Sequence, residues 1–246
     1  MKSSYRLFLL ITLFTCAIAA LAAAKEKEHE GTKIDAGSFG VFQNGHRVGT
    51  ETFSIYQTSG GSVVESEFKT ENAPVVAVQT SEMRLESNGD IRRYDWKELS
   101  PDKAQSTVLP NDDFLTQKWS TGEEKEHEQP YLLSAKTSIL DDYFFVHREV
   151  LAWKFLGASC KQDKAGLQCP LKQRAQFGTL NPHQHASAAM SAEFLGREKI
   201  NLKSGPQDLL KVELKNDAGT WQLWLDDQFK VMRLSIVGDN TEVERD

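Results

Sequence analysis

Two histidines one residue apart, His183 and His185 in Asn181-Pro182-His183-Gln184-His185, have a spacing that could serve a metal ion. On an extended segment they point to one side. Such a pair holds zinc or copper when a third ligand joins it, here His147 or an acid. The segment follows a proline and reads more simply as a polar connection between strands, so no metal is expected. His147 lies on an apolar helical face and is expected as a buried or boundary histidine rather than a catalyst. The carboxylate pairs Asp141-Asp142 and Asp226-Asp227 are adjacent in sequence. Neighbours on a strand face opposite ways, which makes them poor acid/base couples. Helix capping for the first pair and a turn for the second explain them better.

Cys160 and Cys169 are separated by eight residues. This is neither the C-x-x-C of a redox motif nor zinc spacing, and a structural disulfide across a short exposed loop is expected. The chain has no phosphate-binding G-x-x-x-x-G-K-[ST], no G-x-G-x-x-G, no H-E-x-x-H and no G-x-S-x-G. Gly157-Ala158-Ser159-Cys160 lacks the second glycine of a nucleophile elbow. No catalytic residue and no cofactor are expected. The apolar residues Phe39, Phe53, Phe68, Leu140, Phe144, Leu151, Phe155 and Trp221 are the more informative set. They could line a concave face as a ligand cleft, or simply fill the core.

The elements that would position these residues are mostly strands. Short period-2 runs begin at Gly37 and are punctuated by Asn44-Gly45, Gly60-Gly61 and Asn88-Gly89-Asp90, which are hairpin signals. This predicts an antiparallel meander up to Leu99. Residues 100–129 are polar and hold Pro101, Pro110 and the run Glu123-Glu124-Lys125-Glu126-His127-Glu128. They predict a solvated loop or short helix, without the ordered ligand spacing of a calcium loop. Leu140, Phe144, His147, Leu151 and Phe155 fall on one helical face, which predicts a helix over about 138–156 with Asp141 and Asp142 at its start. Period-2 runs resume at 176–180, 187–195, 198–202, 209–214, 221–226 and 229–237, with a last short strand near Val243.

The 246 residues carry a formal charge of −6, and 26% are charged. That composition excludes a multi-span membrane protein and a disordered chain, and the acidic balance argues against nucleic acid as a partner. Lys2 and Arg6, an almost wholly apolar Leu7–Ala24, and Ala22-Ala23-Ala24 before a charged run form a secretory signal, with cleavage expected after Ala24. Cys16 sits in that segment, but Phe14 and Thr15 before it do not suit lipidation. Cleavage leaves a chain of charge −8, because two bases leave and no acid does. Residues 25–36 read as a flexible leader and 34–246 as a single domain.

The stretch GSFGVFQNGHRVG at 37–49, followed by Glu51 and Phe53, resembles the opening strands of periplasmic β-roll domains of unknown function. The closing Trp221-x-x-Trp224-x-Asp226 with Phe229 to Leu234 is similar to their last hairpin. That group resembles the lipoprotein-carrier half-barrels of the bacterial envelope. The resemblance implies a mainly β fold, a curved antiparallel sheet covered by one principal helix. It brings no catalytic residues. The expected function is that of an exported, non-enzymatic envelope protein, periplasmic or extracellular. It would hold a lipid, glycolipid or lipoprotein acyl chain between sheet and helix, with no membrane span after cleavage. A structural or interaction protein with a filled core, and an exported hydrolase, are the alternatives.

Overall fold

The computed structural model describes residues 31–163 and 166–246. The expected signal segment 1–24 and residues 25–30 of the expected leader lie outside them. Eight strands come first: β1 (Thr32–Gln43), β2 (His46–Thr58), β3 (Gly61–Thr70), β4 (Val78–Glu86), β5 (Ile91–Ser100), β6 (Gln105–Asn111), β7 (Phe114–Ser120) and β8 (His127–Tyr131). A two-residue strand, β9 (Ser138–Ile139), precedes the helix α1 (Val146–Ser159). A small ribbon of β10 (Lys161–Asp163) and β11 (Gly166–Gln168) follows. The chain ends with β12 (Arg174–Asn181), β13 (Ala186–Leu202), β14 (Gly205–Asn216), β15 (Gly219–Leu225), β16 (Val231–Ile236) and β17 (Thr241–Arg245).

Fifteen strands make one curved, unclosed sheet in the order β8-β7-β6-β5-β4-β3-β2-β1-β17-β16-β15-β14-β13-β12-β9. Two meanders, β1–β8 and β12–β17, therefore meet where β17 pairs antiparallel with β1, Val41 opposite Val243. Among the described residues only β9 and β12 pair in parallel. The mainly β architecture with one helix agrees with the alternation in the sequence. Phe39, Phe53, Ile55, Val64, Met83, Tyr94, Val108 and Leu115 alternate inward and are buried in the core. β13 bends at a bulge between Phe194 and Gly196, where Gly196 has φ +107. The bulge joins into one strand the two short runs expected at 187–195 and 198–202.

Three expectations are corrected. Residues 100–129, read as loop or short helix, hold β6, β7 and most of β8. Their inward positions include Ser106 and Gln117, which are buried but polar, so the apolar alternation is broken. Gln117 Nε2 donates to Ser106 Oγ and to the Pro182 carbonyl, and Tyr131 Oη donates to Gln117 Oε1. Thr32–Ala36, read as leader, open β1, because Asp35 is buried and held by Arg245 and Lys230. The helix starts at Val146, not at 138: Ser138 and Ile139 pair with β12, and the Asp141 side chain is engaged elsewhere.

The cysteines form the expected disulfide, with an S–S distance of 2.08 Å. The span between them is the β10–β11 ribbon rather than an open loop.

Candidate functional site

The helix lies in the concavity of the sheet with most of its surface covered. Val146, His147, Arg148, Glu149, Leu151, Ala152, Phe155 and Leu156 are all buried. Its first turn has no side-chain cap of its own. The Glu51 carboxylate on β2 takes that place, accepting from the backbone N–H of Phe145 at 2.7 Å and of Val146 at 3.3 Å, and from Ser66 Oγ at 2.7 Å. A carboxylate there complements the helix dipole. Complete burial nevertheless pushes Glu51 up to about 7, against the pull of those three donors.

Further along, Glu149 is buried against β16, β1 and β17. It accepts from the Val231 N–H at 2.9 Å and from Arg245 Nη2 at 2.8 Å, while Arg245 also pairs with Asp35 at 2.8 Å. Burial raises the Glu149 carboxyl well above its ordinary range. Trp153 Nε1 donates to the Phe229 carbonyl at 2.5 Å. These contacts join the helix to both meanders.

At the start of the helix segment Asp141 is fully buried. Its Oδ2 accepts from Tyr94 Oη at 2.5 Å and lies 2.8 Å from His183 Nδ1. Burial alone would raise Asp141; the hydrogen bond and charge of His183 outweigh it and hold the carboxyl below its ordinary value. The capping role expected of Asp141 is thus replaced by a tertiary one. Asp142 is exposed and accepts from Asn181 and Gln184. Asp226 does make the expected turn, accepting from the backbone N–H of Gln228 and Lys230.

The His183–His185 turn folds inward. The His183 ring packs edge-on against Trp96, with centroids 4.1 Å apart, and the His185 ring lies 4.2 Å from that of Trp119. The surface loop expected there is instead a hairpin tip seated between two tryptophans. Among the described residues no group of three or more His, Cys, Asp or Glu is placed to hold a metal ion. His183 Nε2 is buried without a hydrogen-bond partner, so the hydroxyl on the Asp141–His183 pair is that of Tyr94, on the carboxylate side.

The eight apolar candidates come together. Phe39, Phe53, Phe68, Leu140, Phe144, Leu151 and Phe155 belong to the buried core, and Trp221 packs against it half-buried. Phe39 and Phe53 stack with centroids 4.8 Å apart. Of the eight, Leu151 also lines a cleft of about 410 Å³ between α1 and the β4 side of the sheet. Met83, Leu85, Ile139, Val150 and Trp153 give that cleft apolar walls. His147 lies on its wall, 1% exposed, with neither ring nitrogen hydrogen-bonded. Burial lowers its pKa to about 4, so the ring is neutral. Helical spacing identified His147 and Leu151; the β4 wall is visible only in the fold.

No protein-family model matches the chain, and no curated protein matches it. Among solved structures, it is similar to a β-barrel-like protein of the domain of unknown function DUF1849 from Brucella abortus. The TM-score is 0.52 at 10% identity, over 85% of this chain and 94% of that one. A DUF1089 family protein from Pseudomonas aeruginosa gives a TM-score of 0.44 at 12% identity, over 76% and 89%. The first likeness places the chain among β-rich, barrel-like folds of unknown function, in agreement with the β-roll expectation at that level. Among the described residues no helix is long and apolar enough to cross a membrane.

Proposed function

We propose that the chain is an exported envelope protein that binds an apolar or amphiphilic ligand without transforming it, as the lipoprotein-carrier resemblance implies. The observation that carries this reading is the cleft beside α1. Its volume falls in the range of small-molecule sites, and Met83, Leu85, Ile139, Val150, Leu151 and Trp153 give it an apolar side. Glu86, Asn88, Lys154 and the buried neutral imidazole of His147 give it polar groups for an amphiphile's head. Ligand hydrocarbon would gain about 0.8 kcal/mol per CH₂ removed from water. His147 would hydrogen-bond the ligand's polar end and recover the cost of its present isolation. The export segment at 1–24 would deliver the protein to the periplasm or beyond, where a lipid, glycolipid or acyl chain is at hand.

The test is uptake of a fluorescent fatty acid by delipidated full-length protein. Val150→Trp, which places an indole in the cleft from a half-buried position, is expected to weaken uptake about tenfold or more, the equivalent of two or so lost methylenes. No uptake by the wild type, or equal uptake by the variant, overturns the reading. A second reading, an interaction protein with a filled interior, is favoured by the burial of seven of the eight apolar candidates. It predicts the negative result.

A further inference from the structure

On the other side of the helix start lies a larger and chemically different groove, about 900 Å³, between residues 140–148 and the strands β12–β14. Arg148 reaches it and is 5% exposed. A guanidinium has five N–H donors. Arg148 uses one hydrogen bond, from Nη1 to the Asp141 carbonyl at 3.0 Å, and its Nε is buried without a partner. Its other contacts are the rings of Phe145 and Trp221, 5.4 and 5.2 Å from the guanidinium carbon. Trp221 Nε1, also a donor, is likewise buried and unpartnered.

The nearby carboxylates do not pair with it. Asp141 is taken by Tyr94 and His183, Asp142 by Asn181 and Gln184, and Glu51 by Ser66 and two backbone N–H groups. The position is also unfavourable for a cation, since Arg148 is the third residue of α1, at the positive end of the helix dipole. A buried charge without a hydrogen-bonded counter-ion costs several kcal/mol. The Asp141 carbonyl, the two ring faces and the charges of Asp142, Asp141 and Glu51 offset part of that cost. A ligand oxyanion hydrogen-bonded to the free donors would offset more. The rest of the lining is suited to hydroxyl groups rather than to hydrocarbon. Gln176, Asn181, Gln184 and Asn216 line it with amides. Asn181 and Gln184 already donate to Asp142 and the Asn216 oxygen accepts from two backbone N–H groups, which leaves the Gln184 oxygen and the Asn216 NH₂ for a ligand. Exposed Asp142 and Asp217 add acceptors and Lys215 a donor at the rim, and the small side chains of Ala186, Ala188 and Ala189 leave room above the strands.

We propose that this groove binds a carboxylated saccharide, its carboxylate taken by Arg148 and its hydroxyls by the amide side chains around the rim. The guanidinium fork matches a planar carboxylate, and the indole N–H of Trp221 adds a second donor. The site is separate from the apolar cleft beside α1 and does not depend on it.

The test is a titration of the full-length protein with glucuronate, glucose and acetate, followed through the indole N–H resonance of Trp221 and the Nε–H resonance of Arg148. Glucuronate is expected to give saturable shifts of both. Glucose and acetate are each expected to bind at least about tenfold more weakly, because each lacks one half of the recognised chemistry. Arg148→Met removes the unpaired charge; it is expected to melt at or above the wild-type temperature and to bind glucuronate at least about tenfold more weakly. Arg148→Lys keeps the charge without the fork and is expected to lose binding to a similar degree. Absence of saturable shifts with glucuronate, equal affinity for acetate, wild-type affinity in Arg148→Lys, or a large fall in the melting temperature of Arg148→Met would each overturn the proposal.

Discussion

Glu51 and His147 are both buried, and the fold favours the neutral form of each, which gives their contributions opposite pH slopes. Glu51 is raised to about 7 from 4.5, so folding favours its neutral form. The stability it contributes is complete below about 4.5 and is lost as pH rises through about 7. His147 is lowered to about 4 from 6.5, so folding again favours the neutral form. Its contribution is complete above about 6.5 and is lost as pH falls through about 4. Between 4.5 and 6.5 the slopes of these two groups oppose each other, and Glu149, also raised by burial, acts in the same sense as Glu51. His147→Leu removes one slope and leaves that of Glu51, so this variant should be more stable at pH 5 than at pH 7.5. It also removes a buried unpartnered imidazole, a gain of about 1–3 kcal/mol. Glu51→Gln keeps an acceptor for the Phe145 and Val146 N–H groups and removes the Glu51 slope, so relative to the wild type its stability should rise on going from pH 5 to pH 7.5. Thermal melts across that range check both; identical profiles in the three proteins would refute the assignment. The burial of His147 is legible in its helical spacing, but the Glu51 cap is not, because Glu51 and Val146 stand 95 positions apart.

Among the elements, those built on regular alternation were legible in the sequence and those built on tertiary polar contacts were not. Asn44-Gly45 and Asn88-Gly89-Asp90 mark real turns, and β2 and β3 follow their alternation closely. The strands β6 to β8 were hidden because Ser106 and Gln117 satisfy each other inside the sheet, where a sequence pattern looks for apolar residues. The helix was recognisable by its apolar face, but its start was not. The sequence predicts a capping acid adjacent to the helix, whereas the acid that accepts from its first N–H groups is Glu51 of β2. The network of Asp35, Glu149 and Arg245 links positions up to 210 apart and has no local signature. Because Arg245 neutralises two buried carboxylates, Arg245→Met should cost about 3–5 kcal/mol in urea unfolding. Glu149→Gln, which keeps a polar partner for Val231, should cost clearly less; equal costs would show that Arg245 is not the centre of the network. The disulfide closes only the β10–β11 ribbon after the helix. Replacing both Cys160 and Cys169 by Ser should lower stability by about 2–3 kcal/mol on the loop-entropy argument. A helix α1 that stays folded in the variant, read by circular dichroism, would confirm that the bond staples the ribbon rather than the core.

Across the whole molecule, the sheet gains its length by joining two meanders at β1 and β17, yet it does not close, and two edges remain. An exposed edge offers unpaired backbone groups to a second chain. The β12 edge is covered by β9 at Thr179 and Leu180 only. The other edge, β8, is short and carries Pro130, which has no N–H to offer. Glu128 sits on the same strand, exposed, and pairs with Lys118 of β7 at 3.2 Å. Proline and charge together keep β8 from accepting a ninth strand of that meander. The replacement pair Glu128→Val and Pro130→Val would restore a hydrogen-bonding group and an apolar, β-branched surface at once. The variant is expected to associate in a concentration-dependent way, read by light scattering on a sizing column over a range in which the wild type does not change. If the variant and the wild type elute with the same mass throughout, β8 is protected by something other than its own side chains. If only the double replacement associates and neither single one does, the backbone gap of Pro130 and the charge of Glu128 are each sufficient to hold the sheet open.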